Sequence, residues 1–346
     1  MKLGVIARAD ARGLGIQTKA FHDNMSPAKT LVVCASESKR VSATPLPIRA
    51  DWYPDARTCT GLPGVVDIEW LLDGIDAVYT AETGYGNYLW SAANQRGVKT
   101  VLHANYEFLD RNDQPTVWAA PSRWHIDDWP TNTVHLPVPI ETHRIEVEPK
   151  PDTATRFLHV IGRPARHAMW GERNGTVDLL KALPMIASDV TVTVTCQVAG
   201  YVEQLLNEHH VRVPDHINLV VQTNDIPNYW ELYRGHHAMI LPRRFGGLCL
   251  PANEAVGAGM PVIMPDIDPN NRWLPKQWLT PAVRQGEARA KQPFVHYRTE
   301  PEDLADKIDQ LAGDTRFYRQ SVAAALDLRS FYSWTTLKPR YEQVFQ

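Results

Sequence analysis

The chain has 346 residues, 44% of them hydrophobic and 22% charged, with a formal net charge of −3. That length exceeds one ordinary core and suits two α/β domains. The near-neutral charge, without a basic excess on either side of residue 150, excludes indiscriminate binding to nucleic acid. Four cysteines (Cys34, Cys59, Cys196, Cys249) show neither CxxC pairing nor metal-ligand spacing, so they read as thiols in a reducing compartment. No leader-like segment precedes LGVIA and no apolar run approaches spanning length. The expectation is a cytoplasmic protein, in the host cytoplasm if viral.

Strand-like and helix-like segments alternate from the start, the pattern of a parallel sheet covered on both faces. KLGVIAR reads as a strand, ADARGLG as a loop and IQTKAFHDNM as a helix. TLVVCAS, DAVYTAE and KTVLHAN are further strands, separated by the helices DIEWLLDG and YLWSAANQRG. TVWAAPS leads into a helix at WHIDDWP, and TVHLPVPI closes the run. The charged, aperiodic stretch 141–155 (ETHRIEVEPKPDTAT) is the linker candidate.

The alternation then restarts. RFLHVIG, VTVTVTCQV, INLVVQT, HAMILP and PVIMPD read as strands. NGTVDLLKALPMIA, YVEQLLNEHH, IPNYWELYRG and PANEAVGAG read as the helices between them. TEPEDLADKIDQLAG is an amphipathic helix with a Thr cap, RFYRQSVAAALDLRSF is another, and SWTTLKPRYEQVFQ is interrupted by Pro339. The expected architecture is two consecutive doubly wound domains with a cleft between them. Ligands in such sheets bind beyond the carboxyl ends of the strands.

The segment 241–266, LPRRFGGLCLPANEAVGAGMPVIMPD, carries the sharpest chemistry. An apolar strand ends in a Gly-Gly turn, and a short helix follows that holds one carboxylate, Glu254. Glycines ahead of a helix let main-chain N–H groups approach an anion, and the helix N-terminus adds about half a positive charge. Glu254 is placed to accept hydrogen bonds from ribose hydroxyls. The pattern points to a nucleoside diphosphate.

These residues and their order resemble the two-domain GT-B glycosyltransferases, specifically the retaining family-4 type with its E-x7-E signature. Gly247, Leu248, Cys249 and Leu250 stand for the G-F-G-L of that signature. Glu254-Ala255 match its second acid and alanine, and Gly259-Met260-Pro261-Val262 its G-x-P-V. The first glutamate falls at Gly246 and is missing. In the family that acid contacts the transferred sugar, so its loss implies an altered sugar choice or activity. VIGRPARHAMWGERNG resembles the family's diphosphate-gripping segment, with Arg163 as the first cation and Arg173 in place of the lysine. Gly13-Leu14-Gly15 match the first glycine loop, His103 the histidine ending a central strand, and Pro121-Ser122-Arg123 the S-E-x turn. FYSWTTLKPRYEQVF resembles the terminal helix that crosses back onto the first domain. The opening GVIARAD-x-R-G-L-G-x-Q-T is similar to a branch found in bacteriophages and actinobacteria.

The resemblance implies three parts: residues 1–145 as an acceptor domain, 146–328 as a donor domain and 329–346 as the returning helix. It implies Arg163 and Arg173 on the diphosphate, Gly13, Gly15, Gly246, Gly247, Leu248, Arg243 and Glu254 around the donor, and His103 near the sugar. Guanidinium suits phosphate because it binds in a bidentate fork and keeps its proton. Arg243, Arg244 and Arg166 are second-choice phosphate contacts. Glu107 is the candidate acceptor-side base, with Asp10 as another acceptor-side acid. Trp124, Trp129, Trp170, Trp273 and Trp278 fall in loops or at helix starts, where an exposed indole stacks on sugars and bases. Trp124 and Trp170 are the acceptor candidates among them. Without a DxD pair at a strand end, no metal and no other cofactor is expected.

The expected function is metal-independent retaining transfer from a UDP- or GDP-sugar to a hydroxyl. The best acceptor is a hydroxymethylated base in phage DNA, with a protein or cell-surface glycan as the alternative. A non-catalytic nucleotide-sugar-binding module and a GT-B 2-epimerase are the competing readings.

Overall fold

In a computed structural model, residues 1–10, 12–34, 49–164, 171–224, 226 and 228–346 are described. They form two compact units. The first comprises Met1–Pro139, Ala290–Gln292 and Trp334–Gln346; the second comprises Ile140–Arg289 and Pro293–Ser333.

The first unit is built on strands β1 (Leu3–Ala7), β2 (Lys29–Cys34), β3 (Arg57–Thr60), β4 (Ala77–Ala81), β5 (Lys99–His103), β6 (Val117–Ala120) and β7 (Thr133–His135). All pair in parallel, in the order β3-β2-β1-β4-β5-β6-β7. Every residue of β1 and β4 is buried, as apolar runs covered on both faces must be. The order turns at β1 and β4, where an open α/β sheet forms its ligand crevice.

Several local expectations are revised. The helix after β1 spans Gly13–Met25, so the Gly-Leu-Gly stretch is its first turn rather than a loop. A Cβ at Gly15 would collide with the carbonyl of Asp10, and that close approach is what requires glycine. The polar edge strand β3 was not expected, because RTCT lacks an apolar run. WHIDDWP supplies only a 3-10 turn, Ile126–Asp128. The terminal helix Trp334–Phe345 runs through Pro339 without a break. Proline inside a helix costs about 3 kcal/mol. Here Trp334, Leu337, Tyr341 and Phe345 recur at helical spacing and are all buried, which offsets that loss. They enter the core formed by Val5, Ala7, Phe21, Tyr79 and Val101. Phe21 stacks on Tyr79 at 3.9 Å, and the Phe345 ring meets Phe21 edge-on at 5.7 Å.

The second unit repeats the pattern. Strands β8 (Arg156–Gly162), β9 (Val190–Cys196), β10 (Ile217–Gln222), β11 (Ala238–Ile240), β12 (Val262–Pro265) and β13 (Leu279–Thr280) pair in parallel as β10-β9-β8-β11-β12-β13. Side chains alternate between two cores. Phe157, Val192, Val194, Ile240 and Ile263 meet Leu179, Leu304, Ile308 and Tyr318 on one face. Leu158, Met239, Leu241, Val262 and Met264 meet Ala252, Ala255, Val256 and Trp278 on the other.

Three segments differ from expectation here too. IPNYWELYRG forms a 3-10 helix, Tyr229–Tyr233, not an α-helix. The helix Pro301–Gly313 starts after Glu300 with Pro301 in its first turn and without a Thr side-chain cap. An antiparallel hairpin, β14 (Val283–Arg289) with β15 (Pro293–Arg298), was unforeseen because its residues alternate weakly. The stretch 141–155 has no regular element, but it is anchored to the second unit. Ile145 is buried there, and Arg329 donates to the carbonyls of Thr142 (2.6 Å) and Ile145 (3.2 Å). Among the described residues no helix is long and apolar enough to cross a membrane.

Truncation Phe345→Ala removes a ring that is 3% exposed. It is expected to destabilise the first unit by about 3–5 kcal/mol, read as a lower denaturant midpoint for that unit.

Candidate functional site

The second unit gathers its charged residues at the carboxyl edge of its sheet. β8 and β11 are adjacent and parallel, so the chain leaves both at the same edge. Arg163 follows directly after β8 with an exposed side chain. Arg173 lies on a loop that is fixed from several sides. Asn174 Nδ2 donates to the Val160 carbonyl at 2.9 Å, and Glu172 accepts from Val177 N at 3.2 Å and from the Tyr201 hydroxyl at 3.3 Å. Beneath it, buried His159 joins the Ile240 carbonyl (2.8 Å) to the Thr176 hydroxyl (3.0 Å). Burial pushes that imidazole down to about 4, so it serves as a neutral tie between β8, β11 and the helix Thr176–Ala182.

After β11 the chain crosses this loop. The Arg244 amide donates to the Arg173 carbonyl at 2.8 Å, joining the two arginine-bearing loops through the backbone. Arg244 itself pairs with Asp178 at 3.0 Å, whose other oxygen accepts from Thr299 N at 3.3 Å. Arg243 is 7% exposed and donates Nε to the Phe245 carbonyl at 2.9 Å. Arg173 lies over the face of Phe245, 5.2 Å from its centroid, and Phe245 stacks on Phe294 at 4.6 Å.

Gly246 is where these groups meet. Its φ is +117°, and a Cβ there would collide with the guanidinium nitrogens of both Arg173 and Arg243. A glutamate there would take up a backbone conformation that L side chains rarely adopt, and both arginine side chains would have to move aside. Gly247 and Leu248 follow, and then the helix Leu250–Gly257, which buries Glu254 at 4% exposure. Glu254 Oε2 accepts from the Tyr229 hydroxyl at 2.6 Å and also from the Tyr233 hydroxyl. Burial lifts this carboxyl to about 7, the two phenols pull it back toward ionisation, and nearby Glu141 raises it again. Both phenols are in turn raised well above their usual value by burial and by Glu254. Two donors on one oxygen fix the carboxylate plane.

The structure therefore brings together Arg173, Arg243 and Gly246. The candidates in the first unit have different settings. Asp10 pairs with Arg8 at 3.0 Å and accepts from Arg12 N at 3.2 Å, beside Gly13 and Gly15. His103 is buried between Tyr79 and Tyr341, its Nδ1 3.0 Å from the Tyr79 hydroxyl, and burial holds it down to about 3. Glu107 is fully buried in the 3-10 turn Tyr106–Phe108, and its carbonyl accepts from Lys291 N at 2.9 Å. Trp124 is a core residue at 4% exposure, edge-on to Tyr106, and Trp129 and Trp278 are buried as well. Trp170 and Arg166 lie outside the described residues. Tyr229, Tyr233 and Asp178 escaped sequence reasoning; an aromatic pair four residues apart in a predicted helix was their only trace.

The sequence model of the family described as glycosyl transferases group 1 matches residues 159–314. That span includes Arg163, Arg173, Arg243, Gly246 and Glu254. No curated protein matches the chain. Among solved structures, the chain is similar to Anabaena HepE crystallised with UDP and glucose, at TM-score 0.68 and 12% identity over 99% of both chains. It is similar to the sucrose-phosphate synthase of Thermosynechococcus elongatus, at TM-score 0.65 and 13% identity, covering 100% of this chain and 98% of that one. A glycosyltransferase from Rickettsia africae gives TM-score 0.65 and 11% identity over 99% and 98%. The fold is the GT-B fold, two parallel-sheet Rossmann-like units. The residues that the group 1 glycosyl transferase model matches lie almost wholly in the second unit.

Because Glu254 holds its proton more tightly in the folded chain than at the ordinary value of 4.5, its contribution to stability is complete below about pH 4.5. It is lost as pH rises through about 7. Denaturant titrations across pH 4–8 are expected to show the wild type losing stability relative to Glu254→Gln over that window. Tyr233→Phe, which removes a donor to the charged form, moves the window upward.

Proposed function

We propose that the protein moves a sugar from a UDP- or GDP-sugar to a hydroxyl acceptor, with retention of anomeric configuration and without a metal ion. The observation that carries this is the meeting of Arg173 and Arg243 at Gly246, a short step before the helix that holds Glu254. Guanidinium groups delivered from two loops to one point suit a diphosphate, whose oxygens accept from their forked N–H donors. The group 1 match and the fold shared with HepE, a protein crystallised with UDP, support the same reading.

In this reading Arg163 and Arg173 hold the diphosphate and stabilise the charge that develops on it as the bond to the anomeric carbon breaks. The amides of Gly247 and Leu248 approach the phosphates. Tyr229 and Tyr233 hold Glu254 by Oε2, which leaves Oε1 to accept from the ribose hydroxyls. The acceptor oxygen bonds to the anomeric carbon on the face the leaving group vacates. Its proton passes to the departing phosphate oxygen, so the reaction balances without a protein nucleophile. Phosphate charge is met by arginine, so turnover is expected to survive EDTA. The acceptor proposed first is a hydroxymethylated base in DNA, on the likeness of the opening segment to phage sequences. Protein and glycan hydroxyls are the comparison arms.

Calorimetric titration with UDP and GDP tests the donor assignment. One of them is expected to bind, and Arg173→Ala to weaken that binding at least tenfold. Affinity is expected to rise as pH increases through about 7, because ribose hydroxyls donate best to an ionised Glu254, and Glu254→Gln is expected to abolish the trend. Neither nucleotide binding would sink the assignment. Nucleotide-sugar binding without turnover on any acceptor would leave a binding module, and conversion of the donor sugar without acceptor would mark an epimerase.

A further inference from the structure

The first unit gathers positive charge of its own at the carboxyl edge of its sheet. β6 and β7 are parallel neighbours, with Ala120 opposite His135, so the chain leaves both strands at that edge. Arg123 lies in the turn just past β6 and is exposed. Arg340 arrives from the terminal helix, where the buried Tyr341 beside it donates its hydroxyl to the Pro137 carbonyl at 3.1 Å. Arg340 is exposed as well, and its Nη2 donates to the His135 carbonyl at 2.8 Å. The His135 imidazole senses both arginines. Burial, then Arg123 and then Arg340, hold it down to about 4, so the ring is neutral at ordinary pH and the two guanidinium groups act on one place. Arg8, Arg49, Arg57 and Arg96 of the same unit each pair with a carboxylate. Among the described residues, Arg123 and Arg340 pair with none.

We propose that Arg123 and Arg340 form a binding site for a phosphate group carried by the acceptor. The proposal rests on the transfer reading above and deepens it. With the nucleotide contacts assigned to the second unit, the first unit is left to hold the acceptor, and this site gives that acceptor a chemical class. Phosphate oxygens accept from guanidinium forks in pairs, and guanidinium keeps its proton. The carboxyl edge of an open parallel sheet is also where such folds hold their ligands. A net charge of −3 gives no general attraction for a phosphate-bearing molecule, so its capture has to be local. Two exposed cations without a carboxylate partner supply that local charge. The phosphate is either a backbone diester beside a hydroxylated base or the monoester of a small phosphorylated acceptor, and the chemistry at the two arginines is the same for both.

The test measures binding to the full chain without donor, using a short single-stranded oligonucleotide that contains hydroxymethylcytosine, glucose 6-phosphate, and glucose as the uncharged control. At least one phosphate-bearing probe is expected to bind, and more tightly than glucose; which one binds identifies the source of the phosphate. The double variant Arg123→Gln, Arg340→Gln is expected to weaken that binding by about tenfold or more. For the oligonucleotide it is also expected to lower the slope of log affinity against log salt by about 1. Affinity for UDP or GDP is expected to stay within about twofold. Arg319→Gln, which removes an exposed arginine paired with Asp152 in the second unit, is expected to change none of these values. If the double variant fails to fold, Arg123→Gln decides alone, because that exposed side chain makes no hydrogen bond among the described residues. The proposal is overturned if neither phosphate-bearing probe binds, if the variants keep the wild-type affinity, or if Arg319→Gln costs as much as they do. Failure of both UDP and GDP to bind overturns the donor reading instead, and leaves the phosphate arms to decide this site on their own.

Discussion

The site in the second unit depends on one backbone hydrogen bond, from the Arg244 amide to the Arg173 carbonyl at 2.8 Å. It joins the loop after β8 to the loop after β11, two segments about 70 residues apart in sequence. The bond ties the loop that carries Arg173, itself held by Asn174 and Glu172, to the segment that carries Arg243. Guanidinium nitrogens of both residues reach the Gly246 position. The surrounding structure supports it: Asn174 on the Val160 carbonyl, His159 between β8 and the helix at Thr176, and Asp178 neutralising Arg244.

Glu254 shows the same logic with the opposite sign. Isolated in an apolar helix, its carboxyl would stay neutral over much of the ordinary pH range. Two tyrosines from the 3-10 helix at 229–233 oppose that by donating to one oxygen, and the balance falls at about 7. A group poised there responds to small changes in its surroundings, including the arrival of hydroxyl donors. In the proposed donor reading, the arginines at Gly246 face the phosphates and Glu254 the ribose, a polarity that suits one orientation of a nucleotide.

Most of the fold was legible because its strands are apolar runs bounded by turn residues. LGVIA, VVC, AVYTA and FLHVI announce themselves, and their alternation with helices implies the parallel order. What was missed lacks that signal. The edge strand RTCT has no apolar run, and the hairpin at 283–298 buries little beyond Phe294, so no clear periodicity marks either. Pro339 suggested an interruption, but the buried stripe of Trp334, Leu337, Tyr341 and Phe345 outweighs one lost hydrogen bond. Of the candidate residues, the sequence singled out Arg173, Arg243 and Gly246, which the fold brings together, and Glu254, which it buries on the following helix. It could not explain that glycine, whose φ of +117° and nearness to the guanidinium nitrogens of Arg173 and Arg243 are set by the fold. Tyr229 and Tyr233 were invisible as Glu254 partners for the same reason, lying 25 and 21 residues away. His103 and Trp124 illustrate the converse, since residues at a strand end or in a loop can still be core, and both are almost fully buried.

The most direct measurement is a crystal structure of the protein soaked with UDP or GDP, whichever binds. The account predicts diphosphate oxygens within hydrogen-bond distance of Arg173 and ribose hydroxyls on Glu254, with the sugar end of the diphosphate turned toward Gly246 and Arg243. A nucleotide bound away from Gly246, or one whose ribose leaves Glu254 untouched, would contradict it.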